Sequence, residues 1–335
     1  MRAVLIHAHG DRSQLQYTTD HPDPVPGEGE VVLRVAASAV NYHDIFTRRG
    51  MPGITIPLPV IVGSDIAGTI VQLGAGVSAW KPGDRVLLDP VVKTGGRMGM
   101  IGETFDGGRA ELVKVPAANL IRVPDAVDLE DAAALPLAYG TARRMLNRGR
   151  IAAGEKVLVL GASGGVGVAC VQLAKLAGAE VVACAGSAAK VERLRALGAD
   201  HVIDYSAEPF DKALRGLLGK PRITGGGGVD LAVNFTGGDT WIPTQKCVRL
   251  GGRIVTCGAT AGFDVRIDVR YLWTYEHQII GSDGWTIEDL AALLEDVAIG
   301  RLRPVIDKVF PLDQAAEAER LMEDREVFGK VLLRP

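Results

Sequence analysis

The sequence predicts an α/β protein of two domains, in which a doubly wound parallel sheet is inserted between two parts of a β domain. A length of 335 residues exceeds what one hydrophobic core usually serves. Through about residue 120, short apolar runs alternate with turn residues, as in an antiparallel β domain. From residue 156, apolar strands alternate with helical segments, as in a parallel sheet. We therefore expect one domain of residues 1–124 with 265–335 and another of residues 125–264.

The strands of the first region are predicted from apolar runs between turn signals. They are Val31–Ala36, Ala67–Leu73 and Arg85–Leu88. The turn at residues 81–84 (KPGD) introduces the last of them. Residues Asp131–Leu146 are alanine-rich and predict a helix, which Pro136 interrupts.

The alternating region predicts the elements of the parallel sheet. Its strands are Lys156–Leu160, Val181–Ala185, His201–Ile203, Leu231–Phe235 and Arg253–Cys257. Its helices include Val166–Leu176 and Ala188–Leu197. Farther on, Tyr271, Trp273 and Tyr275 recur at two-residue spacing, which predicts a strand. Their rings would line a substrate cleft or the edge of a dimer, and we favour the dimer edge.

Composition excludes several classes of protein. A net charge of −3 argues against a broad phosphate-binding surface, so no nucleic-acid partner is expected. The four cysteines show no C-x-x-C spacing, which favours a reducing, cytoplasmic location over a disulfide framework. The first ten residues have too short an apolar core for a signal peptide. Glycines and Lys175 interrupt the most apolar stretch, residues 157–177, so no membrane partner is expected.

A glycine-rich turn joins the first strand of the alternating region to its helix. Residues 161–167 read GASGGVG, in which the G-x-G-x-x-G pattern survives as Ala162, Gly164 and Gly167. Glycines let the chain turn sharply and approach a pyrophosphate, and the helix N-terminus offers free N–H groups. We therefore predict dinucleotide binding at Gly164, Gly165, Val166 and Gly167. The alternative is a tight turn that binds nothing.

The end of the second strand predicts which dinucleotide binds. An NAD site places Asp or Glu there to hold the ribose hydroxyls. Residues 184–190 (CAGSAAK) contain no acid. A small residue, Ser187, and a cation, Lys190, suit a 2′-phosphate, so NADPH is the expected cofactor. The alternative for Lys190 is a solvated lysine on a helix surface.

Motifs along nearly the whole chain resemble those of the medium-chain dehydrogenase/reductase superfamily. They are residues 63–68 (GSDIAG), 81–86 (KPGDRV), 161–167, 197–204 (LGADHVID) and 329–331 (GKV). The resemblance implies a GroES-like β-barrel catalytic domain with an inserted Rossmann domain.

Zinc-bearing members of that superfamily bind a catalytic metal through cysteine, histidine and a further cysteine or acid. The equivalent positions in this chain are Asn41, Ser64 and, near the third, Leu137, which do not suit zinc. Residues 91–108, equivalent to the structural zinc lobe, contain no cysteine. The chain thus resembles the zinc-free quinone oxidoreductase or zeta-crystallin branch. Because much of it otherwise resembles zinc alcohol dehydrogenases, it is similar to a zinc-losing offshoot of them, and no metal is expected.

The resemblance also implies roles for individual residues. It places Asn41 beside the nicotinamide ribose and Thr141 against the nicotinamide. It places Lys190 and Tyr205 near the adenosine phosphate, and it matches Arg325 to an arginine of the cofactor site. Gly258 and Ala259 follow a predicted Rossmann strand, so their backbone is expected to meet the carboxamide.

Without a Lewis acid, simple alcohol oxidation loses its means of stabilising an alkoxide, whereas a conjugated acceptor needs only a hydrogen-bond donor. Tyr42 and His43 are the predicted catalytic donors. The alternatives are that Tyr42 packs in a cleft wall and that His43 bonds the ribose or the backbone. Asp44 and Asp65 are expected to brace Arg48, Arg49 or their loop.

The leading hypothesis is a zinc-independent, NADPH-dependent reductase of a quinone, enone or similar conjugated carbonyl, acting as a homodimer. One alternative is an alcohol or aldehyde dehydrogenase-like activity. The other is an NADPH-binding protein with little turnover.

Overall fold

The computed structural model describes residues 1–51, 53–94 and 97–335, which form two compact units. The first consists of Met1–Ala138 and Ile287–Pro335, and the second of Tyr139–Thr286. Both boundaries lie farther along the chain than the expected residues 124/125 and 264/265. At the second boundary the reason is that one more strand, Gln278–Gly281, pairs with the parallel sheet.

Eighteen strands and ten α-helices are assigned within the described residues. In chain order, the strands are β1 Ala3–Ile6, β2 Gln16–Thr18, β3 Glu30–Val40, β4 Val60–Ile61, β5 Asp65–Leu73, β6 Arg85–Leu88, β7 Val91–Thr94, β8 Arg97–Met100, β9 Leu112–Pro116, β10 Leu120–Arg122, β11 Lys156–Val159, β12 Glu180–Ala185, β13 His201–Asp204, β14 Val229–Val233, β15 Val248–Thr256, β16 Gln278–Gly281, β17 Ile306–Pro311 and β18 Lys330–Arg334. The helices are α1 Tyr42–Arg49, α2 Leu129–Ala133, α3 Thr141–Arg148, α4 Gly165–Leu176, α5 Ala188–Ala196, α6 Phe210–Leu218, α7 Trp241–Gln245, α8 Val269–Thr274, α9 Ile287–Ala298 and α10 Ala315–Glu323. Short 3₁₀ turns lie at Arg12–Gln14, Ala117–Asn119, Gly238–Thr240 and Leu312–Gln314.

The described residues of the first unit form a seven-stranded sheet in the order β10-β6-β5-β3-β18-β17, with β9 also paired to β3. Its long central strand, β3, runs antiparallel to both β5 and β18. The apolar faces of β3, β5, β6 and β9 pack into one core cluster. The register sets Ala39 opposite Asp65 and Val40 opposite Val331. The residues at the end of β3 therefore lie beside the starts of β5 and β18.

The second unit contains a parallel sheet in the order β13-β12-β11-β14-β15-β16. Its central strands β11, β12 and β14 are almost wholly buried, with Leu158 and Val182 in one core cluster, whereas β16 at the edge is largely exposed. This agrees with the continuous apolar runs that predicted a doubly wound sheet. Because all six strands point the same way, the turns at their carboxyl ends lie along one edge. Ligands of such sheets bind at that edge.

The structure changes two local expectations. The helix predicted over residues 131–146 is divided into α2 and α3 by a π-helical turn at Leu135–Gly140, which contains the expected break at Pro136. The strand predicted for the aromatic residues near position 273 is wrong, because they lie on and just after helix α8. There Tyr271 and Tyr275 stand four positions apart, and their rings stack at 5.3 Å.

Among the described residues, no helix is long and apolar enough to cross a membrane.

Candidate functional site

The glycine turn between β11 and α4 has the geometry of an anion cradle. Gly161 has φ +61°, a conformation that side chains rarely adopt. A Cβ at Gly167 would lie 2.2 Å from the Gly161 carbonyl oxygen, so the turn closes only with glycine there. At Gly164, the N-cap of α4, a Cβ would meet nothing nearer than 3.8 Å. One carbon would therefore fit at this N-cap, and the free N–H groups of a helix N-terminus are of the kind that bind a pyrophosphate.

The next two strands bring together the residues predicted to bind the adenosine phosphate. Strand β12 ends at Ala185, beside Asp204 at the end of β13. Ser187 caps α5 by accepting a hydrogen bond from the Lys190 backbone N–H at 3.4 Å. A Cβ at Gly186 would lie 2.6 Å from the Tyr205 ring, so this ring packs against the start of the same turn. Since Tyr205 is also 49% exposed, its outer face is available to a ligand.

Asp204, at the end of β13 beside this turn, is hydrogen-bonded within its own loop. Asp204 accepts hydrogen bonds from the Ser206 hydroxyl at 2.6 Å and the Ser206 N–H at 2.9 Å. These bonds, the hydroxyl first, lower the pKa of Asp204. The end of β12 itself reads Ala-Gly-Ser, without a carboxylate for a ribose diol. The local donor set therefore fits a phosphate better than a pair of hydroxyls.

A cavity of about 730 Å³ opens at the carboxyl ends of β15 and β16. Gly258 and Ala259 line it, together with Arg144 and Cys257. Burial raises the pKa of Cys257 to about 12, so the thiol stays protonated near neutral pH. Thr141 lies at the start of α3, in the same unit. Its contact with nicotinamide stays a prediction.

At the end of β3 the structure reveals a buried lysine that the sequence reasoning missed. The Lys330 ammonium group donates to the Asn41 side-chain oxygen, to Asp65 at 3.1 Å and to the Val40 carbonyl at 3.3 Å. Lys330 is only 2% exposed. The signal available in the sequence was a lone lysine at the start of an apolar strand, because lysine is buried almost only when it is paired.

Lys330 lies beside the three positions that are equivalent to zinc ligands. Asn41 offers an amide oxygen that already accepts from Lys330, and Ser64 offers a hydroxyl that lies 3.3 Å from Asp44. Leu137 contributes a backbone N–H, which donates to Asp65 at 2.9 Å. No group of three or more His, Cys, Asp or Glu among the described residues is placed to hold a metal ion. The donor set does not fit zinc, which binds thiolate and imidazole.

Asp44 and Asp65 brace the neighbouring loops, as expected. Asp44 accepts hydrogen bonds from the Asn41 and Ser64 N–H groups, and Asp65 accepts one from Leu137. Their ion-pair partners, however, are not Arg48 or Arg49. Asp44 pairs with Arg109 at 3.2 Å, and Asp65 pairs with Lys330. Arg48 instead binds Glu319 at 2.7 Å. Arg48 lies on the α1 surface that packs against α10, so it meets the carboxylates of that helix rather than Asp44.

Tyr42 and His43, the predicted catalytic donors, have different surroundings. The Tyr42 hydroxyl donates to the Met322 carbonyl at 2.8 Å, which favours the packing alternative for this ring. His43 is 23% exposed at its side chain, and its Nε2 lies 2.9 Å from a Glu103 carboxylate oxygen. Arg325 follows α10 with φ +59° in the first unit. The catalytic roles and the Arg325 cofactor contact stay predictions.

The charges around His43 set its protonation. Burial lowers the pKa of the ring, but its interaction with Glu103 and the negative charges of Asp44 and Asp65 outweigh that effect, so the pKa of His43 is raised. The His43 contact in turn lowers the pKa of Glu103. His43 is thus favoured as a cation to higher pH than a solvated histidine.

A parallel sheet with a glycine turn, joined to a β unit carrying a polar cluster, defines a dinucleotide-dependent, two-domain protein. The model of the alcohol dehydrogenase GroES-like domain matches residues 27–125, and that of the zinc-binding dehydrogenase family matches residues 165–298. The chain belongs to the medium-chain dehydrogenase/reductase superfamily. The family, the GroES-like domain and the Rossmann-like sheet expected from the sequence are confirmed.

Nearly the whole chain is similar to proteins named as crotonyl-CoA reductases, quinone oxidoreductases and alcohol dehydrogenases. A crotonyl-CoA reductase of Streptomyces avermitilis is 32% identical over 95% of this chain and 81% of its own length. A quinone oxidoreductase of Rattus norvegicus is 31% identical over 99% of this chain and 97% of its own. A crystal structure of an NAD-dependent alcohol dehydrogenase covers 100% of both chains, with 37% identity and a TM-score of 0.92. All are oxidoreductases, which supports an enzyme of that class.

Proposed function

We propose that the protein is a zinc-independent, NADPH-dependent reductase of conjugated carbonyl compounds: enones, quinones or α,β-unsaturated acyl thioesters. The observation that carries the proposal is the Lys330 ammonium group bound to Asn41 and Asp65, where zinc relatives have ligands. An amide oxygen and a carboxylate that already bind an ammonium group are poor ligands for a Lewis-acid metal that would stabilise an alkoxide. Conjugated acceptors spread the incoming charge, so that a positioned hydrogen-bond or proton donor suffices.

The second unit supports NADPH as the cofactor. The α4 N-terminus receives the pyrophosphate, while Ser187, Lys190 and Tyr205 surround the 2′-phosphate. When bound, the cofactor supplies the hydride. The protein's part is to bind it, to orient it and to exclude water. The Lys330 ammonium group contributes by fixing the Asn41 side chain that we assign to the nicotinamide ribose.

His43 supplies the proton in this proposal. Hydride addition at one end of the conjugated system leaves a negative charge that ends on carbon or oxygen. Protonated His43 gives its ring proton to that atom and is recharged from solvent, so the substrate gains two hydrogen atoms in all. Although burial disfavours the charged ring, the nearby carboxylates raise the pKa of His43, so the ring keeps its proton to higher pH than a solvated histidine.

The test is a panel of steady-state assays with NADPH and NADH on a quinone, cyclohexenone, crotonyl-CoA, an aldehyde and primary alcohols. We expect turnover with NADPH on at least one conjugated acceptor, unchanged after dialysis against a chelator. Elemental analysis of the purified protein accompanies the assays. Preference for alcohols with NAD, or stoichiometric zinc whose removal abolishes activity, would contradict the proposal, since the likeness to alcohol dehydrogenases would then describe the activity.

We also propose that the protein is a homodimer formed through the β16 edge. Among the described strands, β16 ends the parallel sheet and leaves one backbone edge without a partner strand, and nearby Trp273 is 66% exposed. We expect the Ile279→Lys substitution to convert the dimer to monomer in sedimentation velocity runs at micromolar concentration. Ile299→Lys, on an exposed isoleucine of the other unit, is the matched control and should leave the sedimentation coefficient unchanged. A wild-type monomer would exclude the dimer.

A further inference from the structure

We propose that Glu103 is a positioning residue that holds His43 by an ion pair and keeps it charged, so that His43 can deliver its proton. This inference rests on the proposed function for its chemistry, but not for its geometry. Neither the glycine motifs nor the family positions single out Glu103. It lies in the segment equivalent to the structural zinc lobe of zinc relatives, which in this chain carries out a different task.

The turn that carries Glu103 packs against the start of β5. Gly102 has φ +82°, and a Cβ there would lie 2.6 Å from the Gly63 backbone. The Gly102 N–H donates to the Phe105 carbonyl at 2.7 Å, and the Gly108 N–H donates to the Gly63 carbonyl at 2.8 Å. Gly63 directly precedes Ser64 at the start of β5. Glu103 is therefore held against the strand that begins beside Asn41 and His43.

Both oxygens of the Glu103 carboxylate have partners. The Thr104 hydroxyl donates to one at 3.1 Å, and His43 Nε2 lies 2.9 Å from the other. The His43 Nε2 atom is buried, and Glu103 lies within ion-pair distance of it, so the two groups form an ion pair when the ring is protonated. The Glu103 side chain is largely buried, which reduces solvent screening of this pair.

The other carboxylates near His43 have cationic partners of their own, although their charges still raise the pKa of the ring. Asp44 pairs with Arg109, and Asp65 pairs with Lys330. Within the described side chains, Glu103 forms an ion pair with His43 and with no lysine or arginine. The positive charge that balances Glu103 is therefore the imidazolium of His43. A buried carboxylate left without a partner is costly, so Glu103 favours the protonated ring.

The test is the titration of His43 in the protein without cofactor, by NMR of ¹³C-labelled histidine. The His43→Asn variant assigns the resonance. We expect Glu103→Gln, which keeps the side-chain shape, to lower the pKa of His43 by about one unit, or about tenfold in proton affinity. Glu103→Asp retains the charge and should keep part of that shift. A pKa unchanged in both variants would overturn the proposal.

A second pair in the molecule provides the control. His201 Nε2 lies 3.1 Å from Glu180, and both side chains are about one-third exposed. Glu180→Gln removes the same charge from a histidine outside the proposed site, so activity and the pKa of His43 should not change. If Glu180→Gln moves the His43 titration as far as Glu103→Gln does, the assignment to Glu103 is wrong.

The pH dependence of kcat tests the role of Glu103 separately from the role of His43 as proton donor. Protonated His43 is present below its pKa, so the rate should fall as pH rises through that value. Glu103→Gln should move this alkaline limb of kcat to lower pH by the same amount as in the NMR titration, with a smaller change in KM for NADPH. If the titration shifts and the limb does not, Glu103 still holds His43, and His43 is not the proton donor.

Discussion

The two units build their candidate sites by opposite means. In the second unit the site is mostly backbone: a glycine turn, a helix N-terminus and the carboxyl ends of adjacent strands, all within residues 161–205. In the first unit the site consists of charged side chains that are distant in sequence, such as Lys330 and Asn41, which are 289 positions apart. The backbone site should therefore be sensitive to added atoms, and the side-chain site to removed charges.

The largest effect is expected from breaking the buried charges of the first unit. Arg109→Met leaves Asp44 and Glu319 without their shared cation, and all three side chains are fully buried. We expect a loss of about 3–5 kcal/mol in the free energy of unfolding, because an uncompensated buried charge remains. Chemical denaturation without cofactor measures it. Arg2→Met is the matched control, since the exposed Arg2–Glu111 pair is screened by solvent and should contribute little to stability. Equal losses would remove the contrast between buried and exposed pairs.

An intermediate effect is expected from adding one carbon to the backbone site. Gly167→Ala places a Cβ 2.2 Å from the Gly161 carbonyl, so the turn must shift at a cost of about 1–3 kcal/mol. Gly164→Ala meets no protein atom within 3.4 Å, so its melting temperature without cofactor should stay near the wild-type value. Both should weaken NADPH binding in fluorescence titrations. An intact NADPH affinity in Gly164→Ala would show that no phosphate approaches α4 there.

The smallest effect is expected from removing one charge, that of Lys190, from the backbone site. Lys190→Ala should weaken NADPH binding by about tenfold, which corresponds to one charge-assisted hydrogen bond. NADH binding should weaken much less. Calorimetric titration with each dinucleotide measures the ratio. Lys212→Ala, on an exposed lysine of α6, should change neither affinity. Equal weakening of both dinucleotides by Lys190→Ala would refute the 2′-phosphate assignment.

The second unit was the more predictable because its features are local. Period, strand length and the glycine spacing predicted β11, the turn and α4, and the structure agrees. The misassignment at Tyr271–Tyr275 has a local cause as well: a six-residue helix is too short to show a helical period. In the first unit the residue types at Asn41, Ser64 and Leu137 indicated that zinc does not fit. Nothing in them indicated that Lys330 or Arg109 would supply the buried charges.

The sequence by itself determined the family, the parallel sheet, the glycine turn after β11 and the residue types at the three positions equivalent to zinc ligands, because each depends on residue identity over a short span. Only the tertiary structure decided which charges meet. The pairing of β3 with β18 brings Lys330 to Asn41, and the Gly102–Gly63 contact brings Glu103 to His43. Ion pairs depend on distances across the fold, and no local pattern encodes distances between residues tens or hundreds of positions apart.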